Sequence, residues 1–166
     1  MARIELWNGD ICDLEVDAIV NAANMSLWMS TGVSGEIKRA GGDAIEFAAV
    51  RQAPVALGDA IFTPAGRLAA KVVIHAVSLD RDRRTNAEII DRAVRSAMAQ
   101  ARELRIATVA FPAMGTGFGG VAFSEAARQM AAAYRHYLEP PHPLNWDVVI
   151  ERHKAICYDG DKQVVR

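Results

Sequence analysis

The chain has 166 residues, 51% hydrophobic and 23% charged, which excludes a disordered protein and fits a single domain, 1–166, around one core. A formal net charge of −1 argues against a nucleic-acid binder that neutralises many phosphates, but backbone amides can still hold a small anion. Cys12 and Cys157 are too few for a disulfide framework, and no apolar run suits a signal peptide or a membrane span, so a cytoplasmic protein with reduced thiols is expected.

In chain order, Arg3 to Trp7 alternates polar and apolar residues as a half-buried strand should, and Asn8-Gly9-Asp10 has turn chemistry. Asp17 to Val20 is an apolar strand that breaks at Asn21 and Asn24. A loop through Gly32 and Val33 follows, and a helix is expected from near Ser34, with one or two helical segments over 35–52 interrupted at Gly41-Gly42. Gly58 to Thr63 and Lys71 to Val77 read as strands. Thr85 to Leu104 is a helix with Ile90, Val94, Ala97, Ala101 and Leu104 on one stripe, and Thr85 with Glu88 fits a capping box. Thr108 to Phe111 is a strand feeding a glycine-rich loop. Ser124 to Leu138 is a second amphipathic helix with Ala127, Met130, Tyr134 and Tyr137 on one side. Trp146 to Arg152 fits a strand or a short helix, and Lys154 to Tyr158 a final strand.

Strands alternating with helices predict an α/β domain, a three-layer α-β-α sandwich whose central sheet is mixed and mostly parallel. In such sheets ligands bind beyond the carboxyl ends of the strands. The candidate loops are Gly9-Asp10-Ile11, Asn21 to Val33, and Gly115-Thr116-Gly117-Phe118-Gly119-Gly120. Glycines between a strand and a helix let the backbone approach a phosphate, and the helix start adds partial positive charge. Gly115, Gly117 and Gly120 also satisfy G-x-G-x-x-G, so an NAD-dependent oxidoreductase is an alternative. Against it, only 46 residues (166 − 120) follow Gly120, and the acidic residue about 20 positions on, Glu139, follows a helix rather than a strand. No Gly-Lys-Ser/Thr follows the loop, which excludes a Walker loop.

Asp10 can accept a hydrogen bond from an exocyclic amine such as adenine's, or it can cap its turn. Asn21 and Asn24 suit a ribose diol or can stabilise their own loop. His75 ends an apolar strand and reads as a satisfied core residue. Ser26, Ser30, Thr31 and Ser34 lack evident His–acid partners for a serine hydrolase. Of the tryptophans, only Trp28 lies inside a candidate ligand loop.

Gly9-Asp10-Ile11, the run Val16 to Asn24 (VDAIVNAAN), Gly32-Val33, Val73-Ile74-His75 and the run Ala110 to Gly117 occur in an order that resembles the macrodomain family. The resemblance covers essentially the whole chain up to the final helix, and VDAIVNAAN is its most specific part. It implies a six-stranded sheet and a cleft for ADP-ribose or a close derivative, with ADP-ribosylated protein as a partner and neither a cofactor nor a metal. By position, Asp10 and Ile11 would meet adenine and Asn24 the distal ribose. Gly32, Val33 and Ser34 would line the loop near that ribose and its phosphate. Gly115, Thr116, Gly117, Phe118 and Gly119 would wrap the diphosphate, and Tyr158 would stack on adenine.

Two departures bear on activity. One hydrolytic branch carries Gly-Gly-Gly-Val-Asp-Gly where this chain has Ser30-Thr31-Gly32-Val33-Ser34-Gly35, so Ser34 replaces the water-activating aspartate. The lysine–aspartate pair of another branch has no match, since Gly117-Phe118-Gly119 offers no carboxylate. The resemblance therefore supports binding more than hydrolysis of mono-ADP-ribosyl protein or O-acetyl-ADP-ribose. Some relatives without the aspartate do hydrolyse such conjugates, positioning water with loop amides and the ligand's phosphate. A non-catalytic reader module is the alternative. The catalytic residues and the oligomeric state are not set by the sequence.

Overall fold

The apolar runs read as strands share one sheet in the computed structural model, which describes residues 4–138. The strands are β1 (Ala18–Asn24), β2 (Ala60–Pro64), β3 (Val72–Leu79) and β4 (Val109–Ala110). Their order is β2-β3-β1-β4, with β1 parallel to both β3 and β4 and β2 antiparallel to β3. The sheet is therefore mixed and mostly parallel. The helices are α1 (Gly32–Gly41), α2 (Asp43–Val50), α3 (Ala87–Glu103) and α4 (Phe123–Leu138).

Both faces of the sheet are covered, which is why β1 and β3 read as continuous apolar runs rather than alternations. Ala18, Val20, Ile74 and Ala76 pack against Ile90, Ala93, Val94, Ala97 and Ala101 of α3 and Ala133 of α4. On the opposite face Ile19 and Val73 meet Ile37 of α1 and Ile45 of α2, while Ala23 and Val77 meet Leu27 and Ala49. This is the expected α-β-α sandwich. Burying each large aliphatic side chain here contributes about 1.5–3 kcal/mol.

Asp17 ties the start of β1 to β4. Its carboxylate accepts from the backbone N–H groups of Ala107 (3.0 Å) and Thr108 (3.1 Å) and pairs with Lys71 Nζ at 2.6 Å. The Lys71 contact, followed by the two backbone donors, holds its pKa down to about 2.

Four expectations are corrected. Residues 4–8 form no strand, although their polar/apolar alternation is genuine; Leu6 is 99% exposed. A strand needs a partner, and none among the described residues pairs with this segment. The sheet has four strands within the described residues rather than six, and the expected strand Lys154 to Tyr158 lies outside them. The cap of α3 is Asn86, whose side chain accepts from Ile89 N at 2.9 Å, and not the Thr85–Glu88 box. On α4 the buried stripe uses Ala126 and Ala133 with Met130, Tyr134 and Tyr137, while Ala127 is exposed.

Candidate functional site

Because β1 and β4 run parallel, the loops leaving their carboxyl ends emerge at one edge of the sheet. The loop after β1 leads into α1, and the loop after β4 leads into α4. The two loops meet: a Cβ placed on Gly32 would lie 4.0 Å from the Phe118 ring.

The first loop is held by side chains of its own. Asn24 Nδ2 donates to Trp28 O (3.0 Å), and Asn24 Oδ1 accepts from Ser26 N (3.0 Å) and Ser26 Oγ (2.7 Å). Met29 N donates to Glu46 Oε2 at 2.7 Å, and Lys38 Nζ meets Glu46 Oε1 at 2.6 Å. The loop is thus pinned to α2 by a buried, paired carboxylate. Glu46 was not singled out in the sequence, though an acid flanked by apolar residues on both sides within DAIEFAAV is the signal that marks it.

Thr31 stands at the N-cap of α1 without a side-chain cap bond. The first-turn N–H groups of Gly32, Val33 and Ser34 therefore have no intrahelical acceptor and point past the helix start. Ser34 is 8% exposed, and its hydroxyl is turned inward, donating to Asn21 Oδ1 at 2.7 Å. Asn21 Nδ2 donates to His75 Nδ1 (3.1 Å), which places the histidine proton on Nε2, 2.9 Å from Thr63 Oγ1. A buried polar chain, Ser34–Asn21–His75–Thr63, thus ties the first turn of α1 to β1, β3 and β2.

His75 is fully buried, as a satisfied core histidine should be, and burial pushes its pKa down to about 3 from 6.5. An unfolded chain takes up this proton as the pH falls below 6.5, whereas the folded chain does not until about pH 3. The unfolded state therefore binds more protons in that window, and this group's stability contribution is complete above pH 6.5 and lost progressively down to about pH 3. Thermal unfolding from pH 7.5 to pH 4.5 should show a falling midpoint, and the His75→Gln variant a shallower fall. Parallel slopes would contradict the assignment.

In the second loop, Thr116 N donates to Ala113 O, Gly120 N to Gly117 O, and Val121 N to Gly115 O. Among the described residues no acceptor meets the N–H groups of Gly117, Phe118 and Gly119. Gly115 has φ +79°, and a Cβ on Gly119 would lie 2.5 Å from Thr85 Cγ2 and 2.7 Å from Gly115 O. Any side chain there would break the loop. Gly117 differs, since its Cβ position has nothing within 4 Å. Phe118 is exposed, and the Arg83 guanidinium lies over its ring, 4.9 Å from the centroid.

Asp10 caps the short 3-10 turn Ile11–Asp13 by accepting from Cys12 N at 2.9 Å. That bond holds its pKa below the ordinary carboxylate value. Burial, with the neighbouring Asp10 carboxylate, pushes the Cys12 thiol up to about 12, so it stays protonated. Ile11 and Cys12 pack beside Val33 against the cluster that includes Ile37 of α1. Asp10 and Ile11 therefore flank α1. Tyr158 lies outside the described residues.

A profile of the Macro domain matches residues 20–130. The chain belongs to the macrodomain family. The G-x-G-x-x-G spacing is thus part of a macrodomain loop and not of an NAD-dependent Rossmann unit. An uncharacterized protein of Mycobacterium tuberculosis is 39% identical over 82% of this chain, and the chain spans only 38% of that protein. The O-acetyl-ADP-ribose deacetylase of Salmonella gallinarum is 41% identical, covering 76% of this chain and 74% of its own length. A macrodomain of Oceanobacillus iheyensis solved with ADPR superposes with a TM-score of 0.73 at 26% identity, covering 81% of this chain and 77% of that one. No helix among the described residues is long and apolar enough to cross a membrane.

Proposed function

We propose that this macrodomain, spanning 1–166, binds ADP-ribose or a close derivative in the cytoplasm, free or carried on a modified protein. The observation that carries the reading is the pair of adjacent loops with two runs of backbone N–H groups that meet no acceptor among the described residues, Gly32 to Ser34 and Gly117 to Gly119. Such donors suit a diphosphate, and they need no lysine in a chain of net charge −1. Asn24 still has one Nδ2 hydrogen free for a hydroxyl of the distal ribose. Asp10, deprotonated and exposed, accepts from the adenine amine with Ile11 beside it.

The deacetylase relative favours a second reading, in which O-acetyl-ADP-ribose or a mono-ADP-ribosyl protein is also hydrolysed. Neither loop supplies a carboxylate, and the Ser34 hydroxyl is engaged with Asn21, so the residues described here favour binding. Calorimetric titration with ADP-ribose, beside incubation with O-acetyl-ADP-ribose and a mono-ADP-ribosylated protein, separates the two. Binding without release identifies a reader, and release identifies a hydrolase.

Asp10→Ala should weaken ADP-ribose binding about tenfold or more, the size of a lost charge-assisted hydrogen bond. Because Asp10 is itself exposed and caps only a three-residue turn, the melting temperature should move by no more than about 3 °C. Unchanged affinity in calorimetry would remove Asp10 from the ligand.

A further inference from the structure

A second opening adjoins the loop after β1, and of the proposed ligand-binding residues only Asn24 lines it. It is a cleft of about 400 Å³ whose walls include Asn24, Trp28, Ser30, Pro54, Arg81 and Arg83. It shares Asn24 with the distal-ribose end of the proposed site, so whatever is attached to that ribose exits into it. One wall is the loop between β3 and α3, whose Asp80, Arg81 and Arg83 line the cleft, with Arg84 next on the same loop beyond the lining.

This loop is rigidly closed. Asp80 N donates to Arg84 O (3.0 Å) and Arg83 N to Asp80 O (3.1 Å). Asp80 Oδ1 accepts from Asp82 N (2.9 Å) and Arg84 N (2.8 Å). Arg83 adopts φ +61°, a backbone conformation that disfavours a side chain and is held here by those bonds. The turn therefore holds the Asp80 carboxylate against backbone N–H groups, and three arginines against Asp80 and Asp82 leave the loop with a net charge of +1 (3 − 2). All three arginines are exposed, and none is paired with a carboxylate among the described residues. Arg83 stacks on Phe118, which fixes the loop beside the glycine-rich loop. The exposed Trp28 ring adds a flat apolar surface to the other wall.

We propose that this cleft receives the polypeptide carrying the ADP-ribosyl group, and that Arg81 and Arg84 select modified sites flanked by acidic residues. The inference rests on ADP-ribose binding as proposed above. Charge complementarity sets the occupant: unpaired cations beside the exit of a covalent conjugate favour an anionic chain on it. A peptide fits better than a nucleic acid, because the chain as a whole is slightly acidic and repels a long polyanion.

The test uses the full chain and three probes: free ADP-ribose, and two peptides mono-ADP-ribosylated on one serine, flanked either by four glutamates or by four glutamines. Wild type should bind the glutamate peptide about tenfold more tightly than the glutamine peptide, and the preference should shrink as salt rises. Arg81→Gln with Arg84→Gln should erase the preference and leave free ADP-ribose affinity within twofold. Equal binding of the two peptides by wild type overturns the inference alone. So does an equal loss for free ADP-ribose in the variant, which would assign the arginines to the diphosphate. Competition by oligothymidylate at least as strong as that of the glutamate peptide overturns the choice of a peptide. Failure of wild type to bind free ADP-ribose overturns the reading of the site together with this inference.

Discussion

Gly117→Leu should abolish ADP-ribose binding, weakening it about a hundredfold or more, while the melting temperature stays within about 2 °C of wild type. The reason is local geometry. The Cβ position of Gly117 meets no atom within 4 Å, and its φ lies outside the left-handed region, so the protein itself tolerates a side chain. That space is open, and the proposed reading sets the diphosphate in it. Gly119→Leu makes the contrasting case, because its Cβ would strike Thr85 and the Gly115 carbonyl, so stability and binding should fall together. Calorimetry beside thermal unfolding of both variants distinguishes ligand blockade from a broken loop. Full binding by Gly117→Leu would move the diphosphate elsewhere.

The second large effect is expected far below the surface, at Asn21. Asn21→Ala removes the donor to buried His75 Nδ1 and the nearer acceptor of the Ser34 hydroxyl, which keeps only a 3.4 Å contact to Ala22 O. A buried polar group that loses its partner costs about 1–3 kcal/mol, so the variant should lose about 2–4 kcal/mol of stability in urea unfolding. Binding should weaken as well, by about tenfold, because Ser34 tethers the first turn of α1 and its N–H groups to the sheet. Ser34→Ala removes the tether but leaves the Asn21–His75 bond intact. It should therefore affect binding with a smaller loss of stability. If Asn21→Ala unfolds like wild type, the polar chain does not anchor the site.

These two residues also show what the sequence can and cannot convey. β1, β3 and α3 were legible because burial on both sheet faces leaves continuous apolar runs, and a one-sided helix leaves a 3.6-residue stripe. The glycine-rich loop was legible as a strand-to-helix connection from its glycines, and at Gly115 and Gly119 Thr85 and neighbouring atoms leave no room for a side chain. What failed was whatever depends on a distant partner or on direction. The alternation at 4–8 is real, but nothing local supplies a strand to pair with. Thr85 and Asn86 are both good caps, and only the extended backbone of Asn86 decides between them. Ser34 occupies the aspartate position of hydrolytic relatives, which suggested a group facing the ligand, yet its hydroxyl points to Asn21. Glu46 and the arginines of the 80–84 loop were not singled out in the sequence, because what they do depends on what the fold sets beside them: Met29 for Glu46, and the cleft for Arg81 and Arg83.

The inward turn of Ser34 narrows the question of catalysis. An aspartate introduced there would set a carboxylate against the Asn21 carbonyl instead of against a water beside the ligand. For a hydrolytic reading, the groups on offer are the N–H groups of the two loops and the ligand's own phosphate. Both are available only if ADP-ribose occupies the cleft between the loops.

That occupancy is measured most directly by calorimetric titration of the full chain with ADP-ribose at neutral pH, with Gly117→Leu run in parallel. An ADP-ribose site between the loops predicts saturable binding at one site per chain for wild type and no measurable heat for the variant. Absence of binding by a folded wild-type protein, or equal binding by both, would contradict it.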